Sequence, residues 1–183
     1  MATTALMSGL EFDALPYEEG RRWELLEGEL IPTASPTLEH QTVVQNLEVA
    51  LVAHFKAHRG QGRVWSDAEF ALDRDYRVRP VVFVLLEDRL SSVDRHKIPI
   101  PGAPDIAVEV ISPSERAAAD TQAKLEAYLR HGTQEVWQVF PKSKSVVIHR
   151  GAASTLLATG EHITTPLLNG FSLDPATLFQ NNE

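Results

Sequence analysis

The chain has no cysteine among its 183 residues, which excludes disulfides and any zinc site built on thiolates. No apolar run approaches the roughly 20 residues that cross a bilayer. The leading residues, Met1-Ala2-Thr3-Thr4-Ala5-Leu6, lack the basic lead and long apolar core of a secretion signal, so a cytoplasmic protein that spans no membrane is expected. Positive charge is also short: 17 Lys and Arg stand against 25 Asp and Glu, a formal net charge of −8. Because phosphate neutralisation dominates affinity for nucleic acid, that sign speaks against a uniformly basic contact surface, although acids gathered in a metal site would contribute to it. No Gly-x-Ser-x-Gly elbow and no Walker-type loop occurs, which removes the simplest serine-hydrolase and nucleotide-binding readings. Gly60-Gln61-Gly62 ends a helical pattern rather than following a strand, so it is no phosphate loop. There is no internal repeat and no low-complexity segment.

What is present is the composition of an ordinary globular protein, 43% apolar and 23% charged. The length suits one domain, 21–183, preceded by an N-terminal arm, 1–20, with a short helix expected around 16–22. Residues 23–31 read as a hairpin turning at Glu27-Gly28. A long helix is expected over 38–59, with Val43, Val44, Leu47, Leu51 and Phe55 on its inner stripe. Residues 63–72 read as one bulged strand and 78–86 as a second, with 87–101 as a charged connector. Strands over 135–140 and 145–149, two further short strands, and a terminal turn near 175–179 complete a mixed α/β sheet with a helix on each side.

The chain is organised around Ala103-Pro104-Asp105-Ile106-Ala107-Val108-Glu109-Val110-Ile111-Ser112-Pro113-Ser114. Its middle is the β-branched apolar run of a strand buried on both faces. An unpaired carboxylate there costs several kcal/mol, so Glu109 requires a cation, a donor or a metal ion; a salt bridge to a helix is the structural alternative. A helix follows, capped by Ser112 or Ser114 and stopped at Gly132, with Ala117, Thr121, Leu125, Tyr128 and Leu129 facing inward. Lys124 lies on the edge of that stripe, from which it can reach back towards Glu109 or run its stem along apolar surface. Asp105 and Glu109 are the candidate metal ligands, yet four residues of strand hold them about 13 Å apart, too far for one ion. A second ligand must come from a neighbouring strand.

A strand acid followed by a helix lysine resembles a variant of the PD-(D/E)xK nuclease site, in which the lysine usually stands two residues after the acid; here Ile111 holds that place. Trp23-Glu24-Leu25-Leu26-Glu27-Gly28-Glu29-Leu30, Ser35-Pro36-Thr37-Leu38-Glu39-His40-Gln41 and Gly102 through Ser114 resemble segments of the Uma-two family of endonucleases. Lys124 with Tyr128, the stretch 132–137, and Pro166-Leu167-Leu168-Asn169-Gly170-Phe171 continue the likeness in the family's order, over nearly the whole chain from Trp23. The resemblance implies a restriction-endonuclease-like α/β fold, a mixed sheet flanked by helices with an N-terminal hairpin. It also implies a DNA substrate, Mg²⁺ or Mn²⁺, and hydrolysis assisted by that ion. Glu109 would hold the metal, Lys124 would steady charge on the phosphate, and Glu24 and His40 would assist. A homodimer would suit cutting of both strands. The family's Arg-Pro-Asp triplet, however, reads Arg79-Pro80-Val81 here, and Phe140 stands before Pro141 where relatives commonly carry aspartate. Both changes lose an acid, so the alternative is a catalytically silent relative that keeps the fold as a binding or assembly module.

Two basic stretches, Arg74, Arg77, Arg79, Arg89, Arg95, His96 and Lys97, then Lys142, Lys144 and Arg150, read either as DNA contacts or as solvated surface. His54 and His58, one helical turn apart, have zinc spacing but no evident third ligand and read as surface polar residues.

Overall fold

The computed structural model describes residues 6–16, 18–19, 22–111, 115–157 and 160–181, the side chains of 115–118 excepted. The expected caps Ser112 and Ser114 and the side chain of Ala117 therefore lie outside the described residues, as do Tyr17, Gly20 and Arg21 within the expected 16–22 helix. The first helix is instead α1 (Gly9–Asp13), started by a capping box in which Ser8 and Glu11 bond each other's backbone N–H. Arg22 already belongs to a strand.

The hairpin forms as read: β1 (Arg22–Leu26) and β2 (Glu29–Thr33) pair antiparallel around Glu27 and Gly28, both at positive φ as a tight twisted turn requires. Next come α2 (Leu38–Ala57), β3 (Gly62–Ser66), β4 (Phe70–Ala71), β5 (Arg77–Val78) and β6 (Val82–Leu86). The chain continues through α3 (Glu87–Ser92), β7 (Ile100–Pro101), β8 (Ile106–Val110), α4 (Glu115–Arg130), β9 (Glu135–Phe140) and β10 (Ser145–Arg150). It closes with β11 (Ala153–Leu157), β12 (Ile163–Thr164), β13 (Ser172–Leu173) and a 3₁₀ turn at Pro175–Phe179.

Two expected strands are each divided between different sheets. The 63–72 stretch breaks at Asp67, which turns the chain at φ 54°, leaving β3 in the central sheet and β4 in the hairpin's sheet. The 78–86 stretch breaks at Pro80, which has no N–H for a ladder, while the N–H of Arg79 is diverted to the Glu24 carboxylate. The charged connector is not structureless either, since it contains α3 and β7.

The central sheet runs β11-β10-β9-β8-β6-β3, antiparallel except for the parallel pair β8–β9 that α4 connects. The smaller sheet runs β2-β1-β5-β4-β7. Strand alternation sends Ile106, Val108 and Val110 to one face, where α2 covers them with Val43, Val44, Leu47 and Leu51. On the other face Ala107, Phe83, Leu85 and Val136 meet Leu125 and Tyr128 of α4 together with Phe70 and Val78 of the smaller sheet. Glu109 alternates onto this second face, between a helix and a second sheet, and that placement makes the site.

Candidate functional site

Glu109 is the penultimate residue of an otherwise apolar strand and is only 7% exposed, so its charge must be met inside the protein. Lys124 meets it: Nζ is 2.8 Å from Glu109 Oε1. The same ammonium stands 2.9 Å from Oε1 and 3.2 Å from Oε2 of Glu24, which β1 of the hairpin delivers from the smaller sheet. A further donation, 3.2 Å long, goes to the backbone carbonyl of Arg79. All three hydrogens of the ammonium are thereby matched. The two acids are oriented in turn. Tyr128, one helical turn beyond Lys124 and fully buried, donates its hydroxyl to Glu109 Oε1 at 2.9 Å. The N–H of Arg79 donates to Glu24 Oε1 at 2.6 Å.

Two carboxylates share one cation here, and the protonation tendencies follow from that count. Burial alone would push Lys124 down, but Glu109 and Glu24 together outweigh it and hold the amine protonated well above its ordinary range. Glu109 is pushed up, first by burial and then by the neighbouring charge of Glu24, with Lys124 opposing both. The lysine has two anionic partners while the two acids share one cation, so the amine gains and Glu109 loses. Burial, then Glu109, then Glu24 raise the Tyr128 hydroxyl as well, which keeps it a donor.

Of the residues singled out in the sequence, Glu24, Glu109 and Lys124 are brought together, from three separate elements. Asp105 is not. Its carboxylate accepts from the N–H of Leu86 at 2.8 Å and from Gln134 Nε2 at 3.1 Å, tying β6 to the turn before β9. His40 stands in the first turn of α2, the helix covering the opposite face of β8, and no hydrogen bond or ion pair among the described residues joins it to the cluster. Burial lowers its pKa, and among the described residues its buried Nδ1 has no hydrogen-bond partner. Val81 is partly buried and packs against the α2-side core. Tyr128 read only as core, yet its spacing of four from Lys124 puts both on one helix face, a signal available in the sequence. The Arg79 backbone had no such signal.

The other charged candidates resolve into structure. Arg77 is buried and forks onto Asp13 of α1, and Arg79 pairs with Glu69, so much of the first basic stretch is spoken for. Arg150 of the second pairs with Glu135. His54 is buried rather than superficial, bonded to Gln61 and stacked on His58. A surface cavity lined by Lys144, Asp174 and Phe179, among others, shares no residue with the Glu109 cluster.

Among the described residues no group of three His, Asp or Glu could hold a metal ion. Magnesium nevertheless takes as few as one or two carboxylates, completing its shell with water and phosphate. Glu24 and Glu109 fit that donor chemistry, and the point on which they converge is held by the ammonium of Lys124.

The mixed sheet with flanking helices is a nuclease-like α/β fold. A solved structure shares it: a nuclease assigned to DUF820 from Anabaena variabilis, described as putative, superposes with a TM-score of 0.77 at 22% identity, covering 94% of this chain and 97% of the other. Residues 10–176 match the Uma2 family, whose description is "Putative restriction endonuclease", and the chain belongs to that family. Among curated proteins none matches. In the described residues no helix is long and apolar enough to cross a membrane.

Proposed function

We propose that this chain is a DNA endonuclease that hydrolyses phosphodiester bonds at the Glu109 cluster. The observation that carries this reading is the convergence of Glu109, Glu24 and Lys124 on one buried point, in a chain of the family described as "Putative restriction endonuclease". Glu109 and Glu24 would hold a divalent ion, which when bound would activate water and steady charge developing on the phosphate. The chain's own groups do the positioning. Tyr128 fixes Glu109 and the Arg79 amide fixes Glu24, while Lys124 carries a permanent positive charge for a phosphate oxygen. Exclusion of water strengthens each of these contacts. A cytoplasmic location and a homodimer that offers one site to each strand accord with the reading.

A second reading is a silent nuclease-fold module that binds without cutting. Val81 favours it, since an aliphatic side chain replaces the acid of the family's triplet. The experiment that decides is nicking of supercoiled plasmid with Mg²⁺ or Mn²⁺, by wild type and by Glu109→Gln. Nicking that the variant loses supports the endonuclease. Wild type that retains plasmid on a filter but never nicks it, with either ion, leaves the module.

A further inference from the structure

We propose that Lys124 is the resident cation of this site: its ammonium fills the point between Glu24 and Glu109 that a divalent ion would take, so that ion and ammonium exclude one another. The identity of the competing ion rests on the endonuclease reading; the occupancy by the ammonium rests on distances alone. Nζ lies 2.8 Å from Glu109 Oε1 and 2.9 Å and 3.2 Å from the two Glu24 oxygens, so an ion bridging these carboxylates would claim the same volume. The lysine is not a loose neighbour that could share it. Its three hydrogens are all matched, the third by the Arg79 carbonyl, and its helix is pinned by buried Leu125, Ala127 and Tyr128. Like charges this close repel strongly, so admission of the ion requires the side chain to leave. A lysine read from sequence as an aid to catalysis is then, in the resting chain, a plug that withholds the ion.

The prediction runs opposite to that for a simple helper residue: removing the lysine improves ion binding. Calorimetric titration with Mn²⁺ would compare wild type, Lys124→Met, and Lys124→Met combined with Glu109→Gln. Lys124→Met should bind at least about tenfold more tightly than wild type, and the double variant should lose that gain. Equal or weaker binding by a folded Lys124→Met overturns the inference. Should that variant fail to fold by circular dichroism, wild type decides through reductive methylation mapped by mass spectrometry. Labelling of Lys124 that rises with Mn²⁺ supports displacement, and labelling unchanged at Mn²⁺ concentrations that saturate the calorimetric signal overturns it. Plasmid nicking by wild type reads the parent proposal separately. Nicking without the affinity gain removes this inference alone; the gain without nicking removes the endonuclease and leaves the plug.

Discussion

Glu109 on β8 and Glu135 on the adjacent β9 are both buried acids of one sheet, and they are satisfied in opposite ways. Glu135, 1% exposed, accepts from Trp137 Nε1 at 2.8 Å, Thr165 Oγ1 at 2.8 Å and Arg150 Nε at 2.7 Å. One negative charge meets one positive charge and two neutral donors, and the account closes. Among the described residues around Glu109, two carboxylates draw on a single ammonium, so that within this set one negative charge is left over. The closed cluster ties β9, β10 and the stretch after β12 together. The open one draws on positive charge, as the proposed metal-assisted chemistry would require.

Three substitutions test that contrast. The largest effect belongs to Lys124→Met, which strips both acids of their cation. Breaking a buried pair from one side costs about 3–5 kcal/mol, and urea unfolding should register a loss of that order in mildly alkaline buffer. A loss below about 1 kcal/mol would mean that the acids find other partners or protonate readily. Next is Glu135→Ala, which leaves three donors without their acceptor. Arg150 is partly exposed and can turn to water, so a loss of about 1–3 kcal/mol is expected, with Mn²⁺ titration unchanged because the closed cluster takes no part in the site.

The smallest effect is that of Glu109→Gln, and its sign is the informative part. The folded pKa of Glu109 lies above the ordinary 4.5, so the folded chain holds this proton more tightly than the unfolded chain does. That contribution is fully present below pH 4.5 and is lost as pH rises through the raised folded value. The glutamine variant lacks this penalty and leaves Glu24 and Lys124 as a neutral pair. Its stability relative to wild type should therefore improve as pH climbs above 4.5, in unfolding curves collected across the acid-to-neutral range. A difference that moves the other way would show that Lys124 serves Glu109 first and Glu24 second.

Much of this was legible in the residues. The two-residue hairpin turn, the long α2, the buried β8 and the helix after it each have local causes, and the structure reproduces them within a few residues. The convergence of Glu109 and Lys124 was also legible, because a buried acid must find a partner and the next helix offers one. Two strands were misjudged for a common reason: alternation and β-branching identify extended chain without saying which sheet it joins. Asp67 and Pro80 move the chain from one sheet to the other, and only the destination of the flanking hydrogen bonds reveals it. Asp105 resembled a ligand because an acid beside a buried run looks the same whether it binds an ion or caps a turn.

The sequence by itself determined that an acid would be buried on the central strand and that the following helix would bring an amine to it, since strand alternation, helical spacing and the cost of an unpaired charge are all local rules. Only the tertiary structure decided that Glu24, from a different sheet, would compete for the same amine. That outcome depends on how two sheets and a helix pack, a relation between segments a hundred residues apart that no window of the chain contains.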